Sequence, residues 1–300
     1  ATERQRDPAG IGSTARRSPQ LQFERFTLAI PPGRKDLGKA QPQMPASFTQ
    51  TYPIAKRETL INKDINIADD VLIYVHGYNY SFQESLFQLA EVVADGELRE
   101  VPILFSWPSE GSVTGYVADK DAATYARDDL VELLGHLKSR RSNANITLFG
   151  HSMGAWLVVE ALRQLKLSRH GDALRRINQV VLAAPDIDID LFKRQIETIG
   201  PLAHPIIVLN STDDRALAIS RRIGGFRVRM GSIGEDSAVV QEMIAKKAIR
   251  VIDLSMLPAP DRANHNRFIK LAEILSRSER RRKTLLENGL VHDPEKWQPI

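Results

Sequence analysis

The chain has 300 residues, 42% hydrophobic and 26% charged, with a formal net charge of +4 and no cysteine. That composition excludes a disordered or collagen-like chain and suits a globular one large enough to bury its own core. The missing cysteine excludes disulfides, thiolate metal sites and a cysteine nucleophile, and no apolar run approaches the ~18 residues of a membrane span. The surplus positive charge is clustered at Arg4, Arg6, Arg16 and Arg17 and again at Arg277, Arg280, Arg281, Arg282 and Lys283. Such runs read as solvated tails, and no nucleic-acid partner is expected. No signal peptide is visible, although an opening on Ala1 is compatible with a removed leader.

Residues 1–66, punctuated by Pro, Gly and Arg, are expected to form an extension that adds edge strands to the core. Within it, "RDPAGIGSTARRSP" (6–19) reads as loop and Phe23 to Ile30 as a strand stopped by Pro31 and Pro32. Residues 67–285 then alternate regularly. "DVLIYVHG" (70–77) is a short apolar run, the pattern of a strand buried on both faces. Ser81 to Asp95 reads as a helix, with Ser81 and Glu84 at capping-box spacing. "VPILFSW" (101–107) is a strand and 118–140 one long amphipathic helix. "NITLFG" (145–150), "INQVVLAAPD" (177–186), "HPIIVLNSTDD" (204–214) and "AIRVIDLS" (248–255) are strands. Helices follow each of the first three, and a closing helix runs from Asn266 to about Lys283. Residues 224–247 look like an insertion and 286–300 like a tail. Strands alternating with helices predict an α/β fold with a mostly parallel central sheet and helices on both faces.

"LFGHSMGAWL" places Ser152 between Gly150 and Gly154. The bare G-x-S-x-G pattern is weak evidence, but here it joins a buried strand to a helix, the context a nucleophile elbow requires. A serine nucleophile needs a base at the C-terminal edge of the sheet. His204 precedes its strand, His136 lies late in a helix, His170 and His292 lie in a connection and the tail, and His151 beside Ser152 reads as structural. His265 follows the last strand. Two strand ends offer an acid to orient it: Asp214 is favoured, with Asp213 and Asp186 in reserve. An oxyanion needs backbone N–H donors. Met153 supplies one and Tyr78 the second, in a loop where Gly77 permits unusual backbone angles and His76 and Asn79 brace by hydrogen bonds. Trp107, Tyr116 and Trp156 could line a pocket or belong to the core.

With these pieces in place, "YVHGYNYSF", "LFSWPSEG" with "YVADKDAA", "GHSMG", "AAPDIDIDLF" and "STDDRALAIS" together resemble the α/β-hydrolase superfamily. More narrowly, they resemble the bacterial esterase/lipase-like family DUF900, of unknown function. The resemblance implies a Ser–Asp–His hydrolase, with Ser152 as nucleophile, Asp214 as acid and His265 as base. It implies no substrate. On superfamily analogy the expectation is a small-molecule carboxylic ester, with no cofactor and no metal. An acyltransferase using the same triad, or a non-catalytic scaffold, are the alternatives. Relatives often carry a leader or lipid-anchor signal, which points to the cell envelope or periplasm where a leader is removed and to the cytoplasm otherwise.

Overall fold

The computed structural model describes residues 1–7, 13–29, 54–60, 69–112, 114–138, 145–168 and 171–275. Two sheets organise them. The first is antiparallel, in the order β1 (Thr2–Arg6), β2 (Ser13–Leu28), β3 (Ile54–Leu60). The second holds β4 (Val71–Val75), β5 (Val101–Phe105), β6 (Ile146–His151), β7 (Ile177–Ala183), β8 (Ile206–Asn210) and β9 (Ile249–Asp253). Its order is β5-β4-β6-β7-β8-β9, and every neighbouring pair is parallel. The helices are α1 (Phe82–Gly96), α2 (Tyr116–Tyr125), α3 (Arg127–Lys138), α4 (Met153–Leu167), α5 (Gly171–Arg176), α6 (Ile189–Ile199), α7 (Arg215–Ile223) and α8 (Ala238–Ala245). The predicted mostly parallel α/β sheet is the one observed.

Both faces of the central sheet are covered, which is why β4 is buried along its whole length. One core packs α2, α3, α4 and α6 on one face. The other packs α1, Phe268 and Ile269 on the opposite face, with Phe26, Leu28 and Ile54 of the N-terminal strands against them. α1 starts where the capping box predicts. The Ser81 hydroxyl accepts from Glu84 N–H, and the Glu84 carboxylate accepts from Ser81 N–H.

The structure departs from the sequence reading in four places. Residues 13–19, read as loop, belong to β2 and pair with β1. From Thr2 to Arg4 the partner runs from Gln22 to Arg17, so β2 carries extra residues there, Pro19 among them. A bulge of this kind is where a sheet tolerates proline. The N-terminal strands form a sheet of their own and meet the β5 edge at one bridge, Thr2 to Ser106. The long helix over 118–140 is divided at Ala126, although Leu130 N–H still bonds Ala126 O at 3.1 Å, so the column continues with one irregular residue. Residues 224–247, read as an insertion, hold a helix the sequence reading did not name, α8, and a buried 3-10 turn, Met230–Ser232, described below. The closing helix is helical over 267–275. Its remainder, the basic run 277–283, the tail 286–300, His170 and His292 lie outside the described residues.

Candidate active site

The strand order fixes where a site can form. The chain leaves β4 through α1 on one face and β6 through α4 on the other, while β4 and β6 are neighbours with Val75 opposite Gly150. Loops that diverge to opposite faces from adjacent strand ends open a crevice at that edge. Ser152 follows β6 and Tyr78 follows β4, so the two flank this crevice.

Ser152 has φ 54° and ψ −119°, a conformation a non-glycine residue adopts at a cost of roughly 1–3 kcal/mol. Ser152 N–H donates to Ala183 O at 2.9 Å, and Ser152 O accepts from Asp186 N–H at 3.2 Å and Ala155 N–H at 3.1 Å, which hold the turn. The flanking small residues are required by space. A Cβ at Gly154 would lie 2.3 Å from the carbonyl oxygens of Val75 and His76, and one at Gly150 would lie 2.6 Å from Ala155 Cα. Met153 is the first residue of α4, so its N–H has no intrahelical acceptor.

The loop after β4 comes equally close: a Cβ at Gly77 would sit 3.0 Å from Ser152 Cβ. Buried His76 braces this loop. Its Nδ1 lies 2.9 Å from Gly77 O, its ring stacks on Trp107 with centroids 4.9 Å apart, and Trp107 Nε1–H donates back to His76 O at 2.8 Å. Burial pushes the His76 imidazole down to about 3, with nearby Arg4 adding, so it stands neutral. Asn79, at φ 63°, donates its N–H to the Asp119 carboxylate at 3.3 Å. Asp119 also accepts from Glu110 N–H at 2.7 Å and Ser109 Oγ at 2.5 Å, tying the loops after β4 and β5 together. Trp107 and Trp156 are both buried core residues.

His265, in the loop after β9, holds its Nδ1 2.6 Å from Asp214 Oδ2. Asp214 follows β8 and caps α7, accepting from Leu217 N–H through its other oxygen at 2.9 Å. Asp261 accepts from His265 N–H at 3.2 Å and Asn266 N–H at 2.7 Å, shaping the loop that presents the ring. Burial alone would lower the imidazole's pKa, but the charge and hydrogen bond of Asp214, helped by Asp261 and Asp186, outweigh it and raise the value. His151, next to Ser152, packs its ring 4.7 Å from that of His265; burial first, then His265, keeps it neutral.

The two reserve carboxylates are engaged elsewhere. Asp213 is half exposed and faces Arg267, whose Nη2 lies 2.8 Å away, and Asn264 Nδ2 at 2.8 Å. The Arg267 hydrogen bond holds its carboxyl well below the usual range. Asp186 is buried among Tyr116 Oη at 2.8 Å, Ser220 Oγ, and Arg229 Nε at 3.2 Å. Arg229 comes from the segment read as an insertion. There Met230 N–H bonds Ile187 O, Gly231 N–H bonds Pro185 O, and Ser211 N–H bonds Gly231 O. The segment thus pins the loops after β7 and β8, which carry Asp186 and Asp214. Among the described residues no group of three or more His, Asp or Glu is placed to hold a metal ion.

Sequence reasoning missed Arg4. Read there as part of a solvated basic run, it is 1% exposed. Its guanidinium donates to Tyr80 O at 2.8 Å, Ser109 O at 3.2 Å and Ser106 Oγ at 3.0 Å. The N-terminal sheet therefore reaches the same two loops that Asp119 joins. Single-residue chemistry carries no signal for this, because an arginine in a basic run is ordinarily solvated.

Residues 54–282 match the family described as alpha/beta hydrolase of unknown function, DUF900. An uncharacterized protein of Nostoc sp., alr1448, is 26% identical over 135 residues, which cover 36% of this chain and 35% of that one. Hence the aligned region spans about a third of that curated relative. Among solved structures, a lipase-esterase related protein of Clostridium acetobutylicum is similar at 13% identity and TM-score 0.40, over 71% of this chain and 93% of its own. Est1E of Butyrivibrio proteoclasticus with ferulic acid bound is similar at 9% identity and TM-score 0.44, over 88% and 96%. With the family match spanning most of its length, the parallel sheet and the elbow at Ser152, the chain belongs to the DUF900 family of α/β hydrolases.

Proposed function

We propose that the protein is a serine hydrolase that cleaves carboxylic esters through an acyl-enzyme. The observation that carries the reading is the 2.6 Å pairing of His265 with Asp214, at the sheet edge where Ser152 is held in a strained turn. Asp214 takes up Nδ1, fixing the tautomer that leaves Nε2 as the base. His265 accepts the Ser152 proton as Oγ attacks the ester carbonyl. The N–H groups of Met153 and Tyr78 receive the oxyanion, and His76, Asn79 and Asp119 hold the second donor's loop in place. Collapse of the tetrahedral intermediate expels the alcohol, which takes its proton from His265. Water then repeats the sequence on the acyl-enzyme and frees the acid.

The test is direct. Purified protein is expected to hydrolyse short p-nitrophenyl esters and to be labelled by a fluorophosphonate at Ser152. Ser152→Ala is expected to lower turnover by about 10⁶-fold, the precedent of another serine hydrolase. Unchanged turnover in that variant, or no labelling of the wild-type chain, overturns the reading.

A further inference from the structure

The site leaves one surface without a role. α7 turns Leu217 and Ser220 inward, both buried. Its other face carries Arg215, Ile219, Arg222 and Ile223, spaced three and four residues apart and therefore neighbours. Ile219 is 57% exposed and Ile223 51%. Past the helix, Gly225 and Phe226 take φ 72° and 63°. The chain folds back so that Phe226 N–H donates to Arg221 O at 2.8 Å, and Arg221 Nε donates to Phe226 O at 3.2 Å. Left-handed backbone is unfavourable for a bulky residue; here it presents a ring that is 70% exposed. Arg221, Arg222 and Arg227 are exposed around this group, and Arg227 has Asp190 3.9 Å away.

We propose that this face of α7, with Phe226, docks onto a bilayer surface containing anionic lipid. Exposed isoleucine and phenylalanine interleaved with arginine is the chemistry of an interface that is apolar beneath and anionic above. The hydrocarbon side chains enter the acyl boundary, and the guanidinium groups stay at the phosphates. A nucleic-acid backbone would engage the arginines and leave Ile219, Ile223 and Phe226 in water. A second copy of the chain joined by a two-fold contact would bring like arginine clusters together. Docking is to the surface, as no helix among the described residues is long and apolar enough to cross a membrane. The proposal does not rest on the hydrolase reading, since no contact it uses involves Ser152 or His265.

The experiment is flotation of the full chain with vesicles of phosphatidylcholine, with and without phosphatidylglycerol. The wild type is expected to float with the anionic vesicles and to be released by high salt. Ser152→Ala is expected to float equally. Arg222→Gln is expected to weaken partitioning about fivefold. The double variant Ile219→Ser, Ile223→Ser is expected to weaken it by about tenfold or more. Unchanged melting temperature shows that these variants are folded. Three outcomes overturn the proposal. One is a wild type that floats with neither vesicle. Another is binding that depends on the arginine but not on the isoleucines and is matched by a soluble polyanion. The third is concentration-dependent dimerisation, abolished by the isoleucine substitutions, with no flotation.

Discussion

The two sheets do opposite work with opposite kinds of strand. The six-stranded sheet is parallel and regular, buried on both faces, and the residues of the proposed site lie past its strand ends: Tyr78, Ser152, Asp214 and His265. The three-stranded sheet is antiparallel and bulged, and it sends ionisable side chains inward: Glu3 and Arg4 of β1 are almost fully buried. One sheet gathers the groups of the proposed site because parallel strands end at a common edge. The other contributes none of them and instead stiffens two loops through a buried guanidinium. A charged residue in a terminal extension can thus brace loops beside Ser152, far along the chain.

The largest effect is expected at the edge of the parallel sheet. Asp214→Asn removes the partner that sets the His265 tautomer, and fluorophosphonate labelling of Ser152 is expected to slow by about 10⁴-fold. In the wild type, His265 must be neutral to accept a proton, and its pKa is raised. Labelling should therefore rise with pH through an inflection above the ordinary value of about 6.5, and rate-against-pH profiles read this directly. An inflection below the ordinary value would contradict the pairing with Asp214.

The N-terminal sheet is expected to give a smaller effect of a different kind. Arg4→Met leaves the Tyr80 and Ser109 carbonyls without their donor, at roughly 1–3 kcal/mol for each that stays buried. It also lets the loop that carries the Tyr78 N–H drift, which is expected to slow ester turnover by roughly ten- to hundredfold. Arg4→Lys should recover only part of this, since one ammonium does not reproduce the planar fork. Turnover that stays at the wild-type level while the melting temperature falls would reduce Arg4 to a structural brace.

Glu3 offers a gentler probe of the same sheet. Burial, with Asp129 nearby, raises its carboxyl from 4.5 to about 9. The folded state therefore keeps a proton that the unfolded chain releases. Stability is expected to fall as pH rises through that window, by up to about 1.4 kcal/mol per pH unit. Glu3→Gln should flatten that slope, so its gain over the wild type in urea unfolding grows between about pH 5 and about pH 8. The smallest effect belongs to Asp213→Asn. Its carboxylate faces Arg267, so labelling is expected to stay within about threefold of the wild type. A loss approaching that of Asp214→Asn would mean that the two adjacent carboxylates share the role.

Much of this architecture was legible because its signals are local. Alternating apolar runs and helical periods marked the parallel sheet, the Ser81 and Glu84 pair marked the start of α1, and the small residues around Ser152 marked a turn between a strand and a helix. The sequence alone also favoured His265 as the base, because it follows the last strand at the C-terminal edge of the sheet, while His76 and His151 at the same edge read as structural. Among Asp186, Asp213 and Asp214 the sequence favoured Asp214 but kept the other two in reserve. All three follow strand ends, and only side-chain direction separates them: one turns to His265, one to Arg267 and one to Tyr116, Ser220 and Arg229. Burial of Arg4 and Glu3, the bulge that carries Pro19, and the clamp formed by Arg229–Ser232 were likewise decided in three dimensions. The physical reason is common to all of them. Hydrogen bonds and desolvation depend on what lies opposite a group, and here the opposite partner comes from a distant part of the chain.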